Sequence, residues 1–312
     1  MDTDVPSRTV LVTGATGFVG RYLLTALREA AFSVVGLVRR LPPESERVPS
    51  VRYETGDVTD AMTLDQAVFA DRDFIVHLVG IIAEVRGTGQ TFEVVHARGT
   101  GNVVHAAQAA GVGGRIVYVS ALGASEKSPS MYARTKARAE RIVSESGLPF
   151  TILRPSLVLG KGGDFVREIE GLIRRPPGSP IPLPFVPIPG SGGNRFQPVD
   201  IGDLAQCIVQ SLSRDAAVGV TIEIGGADVV TFDEIIQAFS RRLGIKKRSL
   251  HIPIPLMLAA ASVLEALAPK PPVTVDQLIQ LQRDNVCDNT KMRELLGVNP
   301  IGFEATLARI YG

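Results

Sequence analysis

A tyrosine and a lysine within residues 120–136, SALGASEKSPSMYARTK, have the residue types and the spacing that proton transfer beside a hydride donor requires. Tyr132 and Lys136 are four residues apart, so on a helix they share one face. A free tyrosine has a pKa of about 10 and is a poor base at neutral pH, but an adjacent ammonium favours the phenolate. The pair therefore fits an acid/base tyrosine assisted by a lysine, if both belong to a nucleotide-binding domain. The alternative is a purely structural pair, since a tyrosine and a lysine at this spacing are common by chance.

A glycine-rich turn near the start of the chain predicts such a domain. The segment TGATGFVG follows an apolar run, TVLVT, and carries Gly14, Gly17 and Gly20 with the spacing GxxGxxG. Between a strand and a helix, the first glycine permits the tight turn, the second lets the backbone approach a pyrophosphate, and the third allows close helix packing. The helix then presents free N–H groups, here those of Phe18 and Val19, to the anion. The alternative is a glycine turn needed only for packing.

Residues after the second and third predicted strands favour one form of the dinucleotide. NAD sites commonly place an acidic residue about 20 positions beyond the glycine turn, to hold the ribose 2′-hydroxyl. This chain has Arg39 and Arg40 there, and a guanidinium can pair with the 2′-phosphate of NADP(H). The alternative is that both are exposed charges at a strand end. In GDVTD, Asp57 could accept a hydrogen bond from the adenine amino group with Val58 against the ring, or Asp57 could simply cap a turn.

Composition and charge narrow the class of protein. The 312 residues are 45% hydrophobic, as in an ordinary globular chain, and the net charge of +1 gives no reason to expect nucleic acid. Cys207 and Cys287 lack metal-type spacing, so we expect reduced thiols and no metal site. The start has no apolar segment of a secretory signal, which favours a cytoplasmic protein. The longest apolar run, residues 256–268, is shorter than the roughly 20 residues that span a bilayer; we expect a core helix, with a helix on a membrane surface as the alternative.

Alternation of strands and helices predicts the fold class: α/β, with a Rossmann-type doubly wound parallel sheet and a smaller, mainly helical C-terminal substrate lobe. We place the nucleotide-binding domain at 1–156 and the lobe at 157–312, with some segments of the lobe returning to the sheet. The Pro- and Gly-rich segment 176–193 is expected to hold no regular element. The predicted strands are 9–13, 33–38, 51–56, 73–80, 115–120, 150–156, 195–199 and 220–226; the predicted helices are 17–31, 62–69, 91–111, 131–146, 200–212 (capped by Asp200) and 231–244 (capped by Thr231).

In chain order, TGATGFVG, GDVTD, HLVG, YARTK and LRPSLVLG resemble the extended short-chain dehydrogenase/reductase superfamily. HLVGIIAE, VSALGAS with YARTKARAE, RFQPVDIGDLA and a late DNV resemble an atypical branch, which contains the nucleotide-binding accessory subunit of respiratory complex I and its free-standing bacterial relatives. The resemblance implies bound NADP(H), with Tyr132 as acid/base and Lys136 holding the ribose hydroxyls. Together with the residues above, the implied cofactor contacts are Thr16, Leu78, Val79, Gly80, Ile81, His96, Val119, Ser120, Pro155, Ser156, Leu157 and Val158.

The chain departs from the superfamily pattern at two places. Active members usually carry Ser or Thr just after the fifth strand, to polarise a substrate carbonyl; here Ala121 and Leu122 stand there, and Ser120, the remaining catalytic candidate, comes one or two residues early. His96 stands where the extended branch more often has asparagine; it could bond to backbone near the site or lie on a plain helix face. Arg195 aligns with a position that contacts substrate phosphate in nucleotide-sugar enzymes.

Three functions are consistent with these residues. The first is an NADP(H)-binding protein with weak or no turnover, in a structural or redox-sensing role with a protein partner. The second is an active NADP(H)-dependent oxidoreductase on a quinone or hydrophobic carbonyl, and the third is a nucleotide-sugar epimerase or dehydratase. The segment after the proline-rich stretch offers few groups that would bind a sugar, which favours a hydrophobic ligand. A homodimer and peripheral contact with a membrane remain open.

Overall fold

A seven-stranded parallel sheet organises the protein in a computed structural model, which describes residues 8–175, 183–269, 271 and 273–312. Its strand order is β3-β2-β1-β4-β5-β6-β11, and every neighbouring pair is parallel. The predicted Rossmann-type sheet is therefore confirmed, and so is the return of a late segment to it. The strands are β1 (Thr9–Thr13), β2 (Ser33–Val38), β3 (Val51–Thr55), β4 (Phe74–His77), β5 (Arg115–Val119), β6 (Phe150–Pro155) and β11 (Val220–Ile224).

Helices cover both faces of this sheet, as the doubly wound arrangement requires. One core cluster joins the sheet to the apolar residues of α1 and α6, and a second joins it to α3 and α4 on the other face. The inner strands β1, β4 and β5 are buried on both sides, which explains their apolar runs. The helices are α1 (Phe18–Glu29), α2 (Gln66–Phe69), α3 (Gly99–Ala109), α4 (Met131–Ser144), α5 (Asp164–Arg174), α6 (Ile201–Ser213), α7 (Phe232–Arg242), α8 (Ile254–Leu267), α9 (Val275–Leu281) and α10 (Phe303–Tyr311).

The second half of the chain adds a third core cluster over the carboxyl ends of the strands. Asp200 caps α6 and Thr231 caps α7, as predicted. The predicted strand 195–199 is instead two short strands joined by a bend. Small two-stranded sheets form within this part: β7 (Val158–Leu159) with β10 (Val199–Asp200), β9 (Arg195–Phe196) with β12 (Val230–Thr231), and β8 (Phe185–Pro189) with β13 (Arg248–Ile252).

Two further expectations from the sequence were wrong. The Pro-rich segment 176–193 holds the regular strand β8, whose residues pair with β13 in parallel register; residues 176–182 of that segment lie outside the described ones. Proline is tolerated in a strand at a sheet edge, where no ladder hydrogen bond is lost. The apolar run 256–268 is a helix, α8, but not a core helix, since Ala261 is its only buried residue. In the described residues, none of the helices has the length and apolar character needed to cross a membrane.

Candidate functional site

A single cleft of about 760 Å³ runs along the carboxyl ends of the central strands and under the second half of the chain. Ligands bind at this edge in open α/β sheets. Many predicted site residues meet there although they come from five separate segments. The lining includes Gly14, Gly17, Phe18, Val19, Leu78, Gly80, Ile81, Val119, Ser120, Tyr132, Lys136, Pro155, Ser156, Leu157 and Val158.

The glycine turn has the geometry that a pyrophosphate site needs. Gly14 has φ +74°, which favours glycine, and a Cβ on Gly20 would lie 2.4 Å from the carbonyl oxygen of Gly14. Gly17 is the N-cap of helix α1 and provides no side-chain cap. Among the described residues, the N–H groups of Phe18 and Val19 have no hydrogen-bond partner, and both residues line the cleft. The residues present fit a dinucleotide at this position.

Tyr132 and Lys136 lie one turn apart on α4, and both line the cleft. The Lys136 ammonium is buried, donates one hydrogen bond to the Val119 carbonyl at 3.1 Å, and lies 5.1 Å from the centre of the Tyr118 ring. Burial lowers the pKa of Lys136 to about 8, although the nearby Glu140 carboxylate raises it. An ammonium has three donors, so two remain for a ligand. Burial, and after it the charge of Asp276, raise the pKa of Tyr132 to about 12.

His96 connects the loop after β4 to the helix that carries the tyrosine. Its Nδ1 lies 2.9 Å from the Thr135 hydroxyl oxygen, and its Nε2 lies 3.0 Å from the Ile81 nitrogen. Nε2 also lies 3.1 Å from the Ile81 carbonyl oxygen, so one tautomer donates from Nδ1 to Thr135 and accepts at Nε2 from the Ile81 N–H, and the other donates from Nε2 to the Ile81 carbonyl. Burial, with Lys136, lowers the pKa of His96 to about 2, so the ring stays neutral. Of the two alternatives for His96, the structure shows the hydrogen bond to backbone.

The six residues around this histidine form a short π-helix, Glu93–Arg98, directly before α3. Such insertions are frequent at functional sites because they redirect one side chain. Gly80 matters here too: a Cβ on it would lie 3.2 Å from the Lys136 ammonium and 3.4 Å from His96 Nε2. The absence of a side chain leaves both groups room beside the cleft.

The end of β5 carries the departure from the superfamily pattern. Ala121 and Leu122 line the cleft where a hydroxyl donor was expected. The Ser120 hydroxyl is buried, lines the same cleft, and has no hydrogen-bond partner among the described residues. A buried polar group without a partner is unusual and calls for an explanation; a bound molecule would supply the partner. Ser130 does not substitute, because its hydroxyl caps α4.

The residues predicted to distinguish NADP from NAD lie beside the glycine turn but outside the cleft lining. Arg39 and Arg40 follow β2, the neighbour of β1, and both are exposed. Asp57 accepts hydrogen bonds from the N–H and the hydroxyl of Thr59, at 2.9 and 2.8 Å, so the turn-capping alternative is observed. One of its oxygens remains for a ligand. Thr16, Val58, Val79 and His96 also lie outside the lining, and their contacts with a cofactor stay predictions.

Arg195 lies away from the cleft lining. Its guanidinium donates to Asp284 Oδ2 from Nε at 2.8 Å and from Nη2 at 2.6 Å, and its backbone N–H donates to Oδ1 of the same residue. A substrate anion would have to compete with this pair. The contact predicted for Arg195 stays a prediction.

The far end of the cleft is apolar, in the sense the sequence favoured, but the residues that form it were not predicted. Phe165 and Leu172 of α5, Ile252 of β13, and Met257 and Leu264 of α8 contribute to it. Glutamine side chains of α9 and Asn285, within the DNV motif, add a few polar groups. The apolar run of α8 is visible in the sequence. A helix in the core and a helix in the wall of a cleft have the same apolar composition, so the run alone does not distinguish them.

Comparison with known proteins decides the family. The model of the NAD dependent epimerase/dehydratase family matches residues 10–225, well over half of the chain. The chain belongs to this family. The extended short-chain dehydrogenase/reductase resemblance is thereby confirmed, and with it the binding of NAD(P) as a family property.

Two curated relatives and one solved structure are similar to the chain. It is similar to mitochondrial subunit 9 of the NADH dehydrogenase (ubiquinone) 1 alpha subcomplex of Arabidopsis thaliana, 28% identical over 90% of the chain and 71% of the relative. It is 32% identical to the ceramide reductase of Caulobacter vibrioides over 82% of the chain and 77% of that enzyme. In fold it matches an NADPH-dependent quinone oxidoreductase of Escherichia coli, solved with NADPH, with a TM-score of 0.73, 19% identity, and coverage of 97% of this chain and 100% of the other.

Proposed function

We propose that this protein is an NADP(H)-dependent reductase that acts on a carbonyl or quinone group of an apolar substrate. The observation that carries the proposal is one shared cleft: the glycine turn, the Tyr132–Lys136 pair and an apolar end line it together. An apolar pocket with a few convergent polar groups is the usual form of a small-molecule site. The ceramide reductase relative adds support, because its name combines reduction with a lipid.

Each residue has a separate role in such a reduction. The nicotinamide supplies the hydride when the cofactor is bound. The Tyr132 hydroxyl donates a proton to the substrate oxygen, and the Lys136 donors that the protein leaves open hold the ribose hydroxyls. The free hydroxyl of Ser120 donates a hydrogen bond in place of the absent serine or threonine. The apolar end excludes water, which strengthens these polar contacts.

The preference for NADP(H) rests on the two arginines after β2. No ion-pair partner holds Arg39 or Arg40 within the described part of the chain, and both stand at the carboxyl edge of the sheet beside the glycine turn. A guanidinium there can bind a 2′-phosphate, and the acidic residue that would repel that phosphate is absent.

The test is turnover of NADPH with a panel of acceptors: a long-chain ketone, a ubiquinone analogue and a nucleotide sugar. We expect oxidation of NADPH with one of the apolar acceptors. Tyr132→Phe should lower kcat by roughly 10²- to 10⁴-fold, since it removes the proton donor, and should leave NADPH affinity unchanged. Tyr311→Phe, which removes a hydroxyl that bonds only to Glu170 in the described structure, is the matched control and should leave kcat unchanged.

A second candidate is a nucleotide-holding protein without turnover, with a structural or redox-sensing role beside a protein partner. The apolar side chains of Ala121 and Leu122 at the end of β5 favour it, and so does the similarity to a subunit of NADH dehydrogenase. NADPH that co-purifies with the protein and raises its Tm, while no acceptor is reduced, would support this candidate against the first. Turnover that depends on Tyr132 would exclude it.

A further inference from the structure

The helix that carries Tyr132 begins against a carboxylate from a distant part of the chain. The Ser130 hydroxyl accepts from the Ala133 N–H at 3.2 Å and donates to Asp276 Oδ2 at 2.8 Å. The other oxygen of Asp276 accepts from the Met131 N–H at 2.6 Å. Asp276 lies in the first turn of α9, 145 positions beyond Met131. One carboxylate therefore joins the substrate-side helix to the amino end of the helix with the tyrosine.

Asp276 is itself held in place. Gln280, one turn further along α9, donates to Asp276 Oδ2 at 2.8 Å. Helix α9 begins with a capping box between Thr274 and Gln277, which fixes its first turn. Gln277 and Gln280 both line the cleft. A molecule in the cleft thus contacts the same short helix that holds the amino end of α4.

Besides making these hydrogen bonds, Asp276 acts on Tyr132 through its charge. The amino end of a helix carries a partial positive charge, which on its own would favour the phenolate of a tyrosine in the first turn. The carboxylate of Asp276 offsets that charge and favours the protonated hydroxyl, in the opposite sense to the Lys136 ammonium.

Other charged groups near Tyr132 are already paired or neutral. Arg134 donates to the carbonyls of Ser128 and Pro129. Burial keeps His96 neutral, and burial raises the pKa of Tyr118 well above its ordinary value. The titratable and charged groups around the tyrosine lie on several elements. Helix α4 carries Arg134, Lys136 and Glu140, with Arg154 bonded to Glu140. The others are Tyr118 on β5, Asp276 on α9, His96 and Glu93 on the π-helix, with Arg138 bonded to Glu93, and Glu84 in the loop bonded to Phe92.

We propose that Asp276 is a positioning residue, which fixes the amino end of α4 from the substrate side and keeps the Tyr132 hydroxyl protonated for donation to the substrate. The inference rests on the proposed reductase function. It assigns to α9 a second task besides lining the cleft, and it links substrate-side packing to the state of the acid/base group.

The test compares Asp276→Asn, which removes the charge and keeps the size, with Ser130→Ala, which removes one hydrogen bond and keeps the charge. We expect Asp276→Asn to lower the pH at which Tyr132 ionises by about one unit, and Ser130→Ala to change it far less. The readout is the ¹³C resonance of the Tyr132 Cζ against pH in the NADPH-bound protein, assigned with Tyr132→Phe. In turnover, the loss of kcat at alkaline pH should move down by the same amount, while NADPH affinity stays unchanged.

The control is Asp288→Asn, because Asp288 is exposed and bonds to Thr290 in its own turn. A Tyr132 titration that is the same in Asp276→Asn and in the unaltered protein would overturn the inference. If the titration shifts although no acceptor is reduced, the positioning role stands and the reductase proposal fails. If Ser130→Ala shifts the titration as far as Asp276→Asn, the charge is not the cause and the inference is overturned.

Discussion

The two ends of the cleft are built from opposite kinds of surface. The nucleotide end combines the backbone N–H groups of Phe18 and Val19, which have no partner among the described residues, the buried ammonium of Lys136 and the free hydroxyl of Ser120. The substrate end consists of apolar side chains such as Met257 and Leu264 on α8. The strands of the central sheet and the helices packed on it hold the nucleotide end in place. One wall of the substrate end is α8, a helix with a single buried residue.

This difference indicates how each end selects what it binds. Hydrogen-bonding groups without a protein partner disfavour a ligand that cannot bond to them. The nucleotide end therefore selects a ligand by the positions of its hydrogen-bond donors and acceptors. An apolar wall discriminates by size and shape, at about 1–3 kcal/mol per methylene. We therefore expect a narrow choice of cofactor and a broader choice of substrate.

The largest effect should come from a change at the nucleotide end. In Gly20→Ala, the new Cβ would lie 2.4 Å from a backbone oxygen, so the turn has to move and the α1 N–H groups lose their position. We expect the NADPH-induced rise in Tm to disappear. Gly101→Ala is the matched control, since a Cβ there meets nothing within 4 Å, and it should bind NADPH as before. If NADPH raised the Tm of Gly20→Ala as much as that of the unaltered protein, the distinction drawn between the two ends would be wrong.

An intermediate effect should follow from loss of the arginines after β2. Arg39→Ala with Arg40→Ala should weaken NADPH binding by roughly 10- to 100-fold, as loss of a charge-assisted contact does, and leave NADH binding unchanged. Titration calorimetry measures both. Arg28→Ala removes an exposed cation at the other end of α1 and should change neither. Equal weakening for NADPH and NADH would show that the arginines do not read the 2′-phosphate.

The smallest effect should come from the apolar end. Met257→Gln places a polar group in the wall of the cleft and should raise KM for an apolar acceptor by roughly tenfold, with NADPH affinity unchanged. Leu267→Gln alters the same helix at a residue that is 79% exposed and outside the lining, so its KM should stay the same. A loss of NADPH affinity in Met257→Gln would show that the two ends are not independent.

Local signals in the sequence predicted which residues meet at the sheet end of the cleft, but not those of its apolar end. The spacing of Gly14, Gly17 and Gly20 predicts the turn between strand and helix, because such a turn is a local structure. Tyr132 and Lys136 likewise share a face through helix periodicity alone. Prediction from the sequence failed where contacts join segments that are far apart in the chain.

Asp276 could not be predicted, because its partners lie 145 and 146 positions away and no local pattern records them. The apolar run of α8 was assigned to the core because apolar composition predicts contact with apolar surface, not whether that surface is a core or a cleft. Pro187 and Pro189 argued against a strand, but β8 has only one partner strand, so the missing N–H groups cost little.

Strand β11 determines when the central sheet can be completed during synthesis. It pairs with β6 across residues 220–224 and covers the edge that β6 would otherwise present. A nascent chain that has emerged only as far as β6 has an open, apolar strand edge, which is a template for pairing with other chains. The sheet can close only after a further 65 or so residues have been synthesised. Expression of the nucleotide-binding half alone should therefore give aggregates, whereas a truncation placed beyond β11 keeps the edge covered.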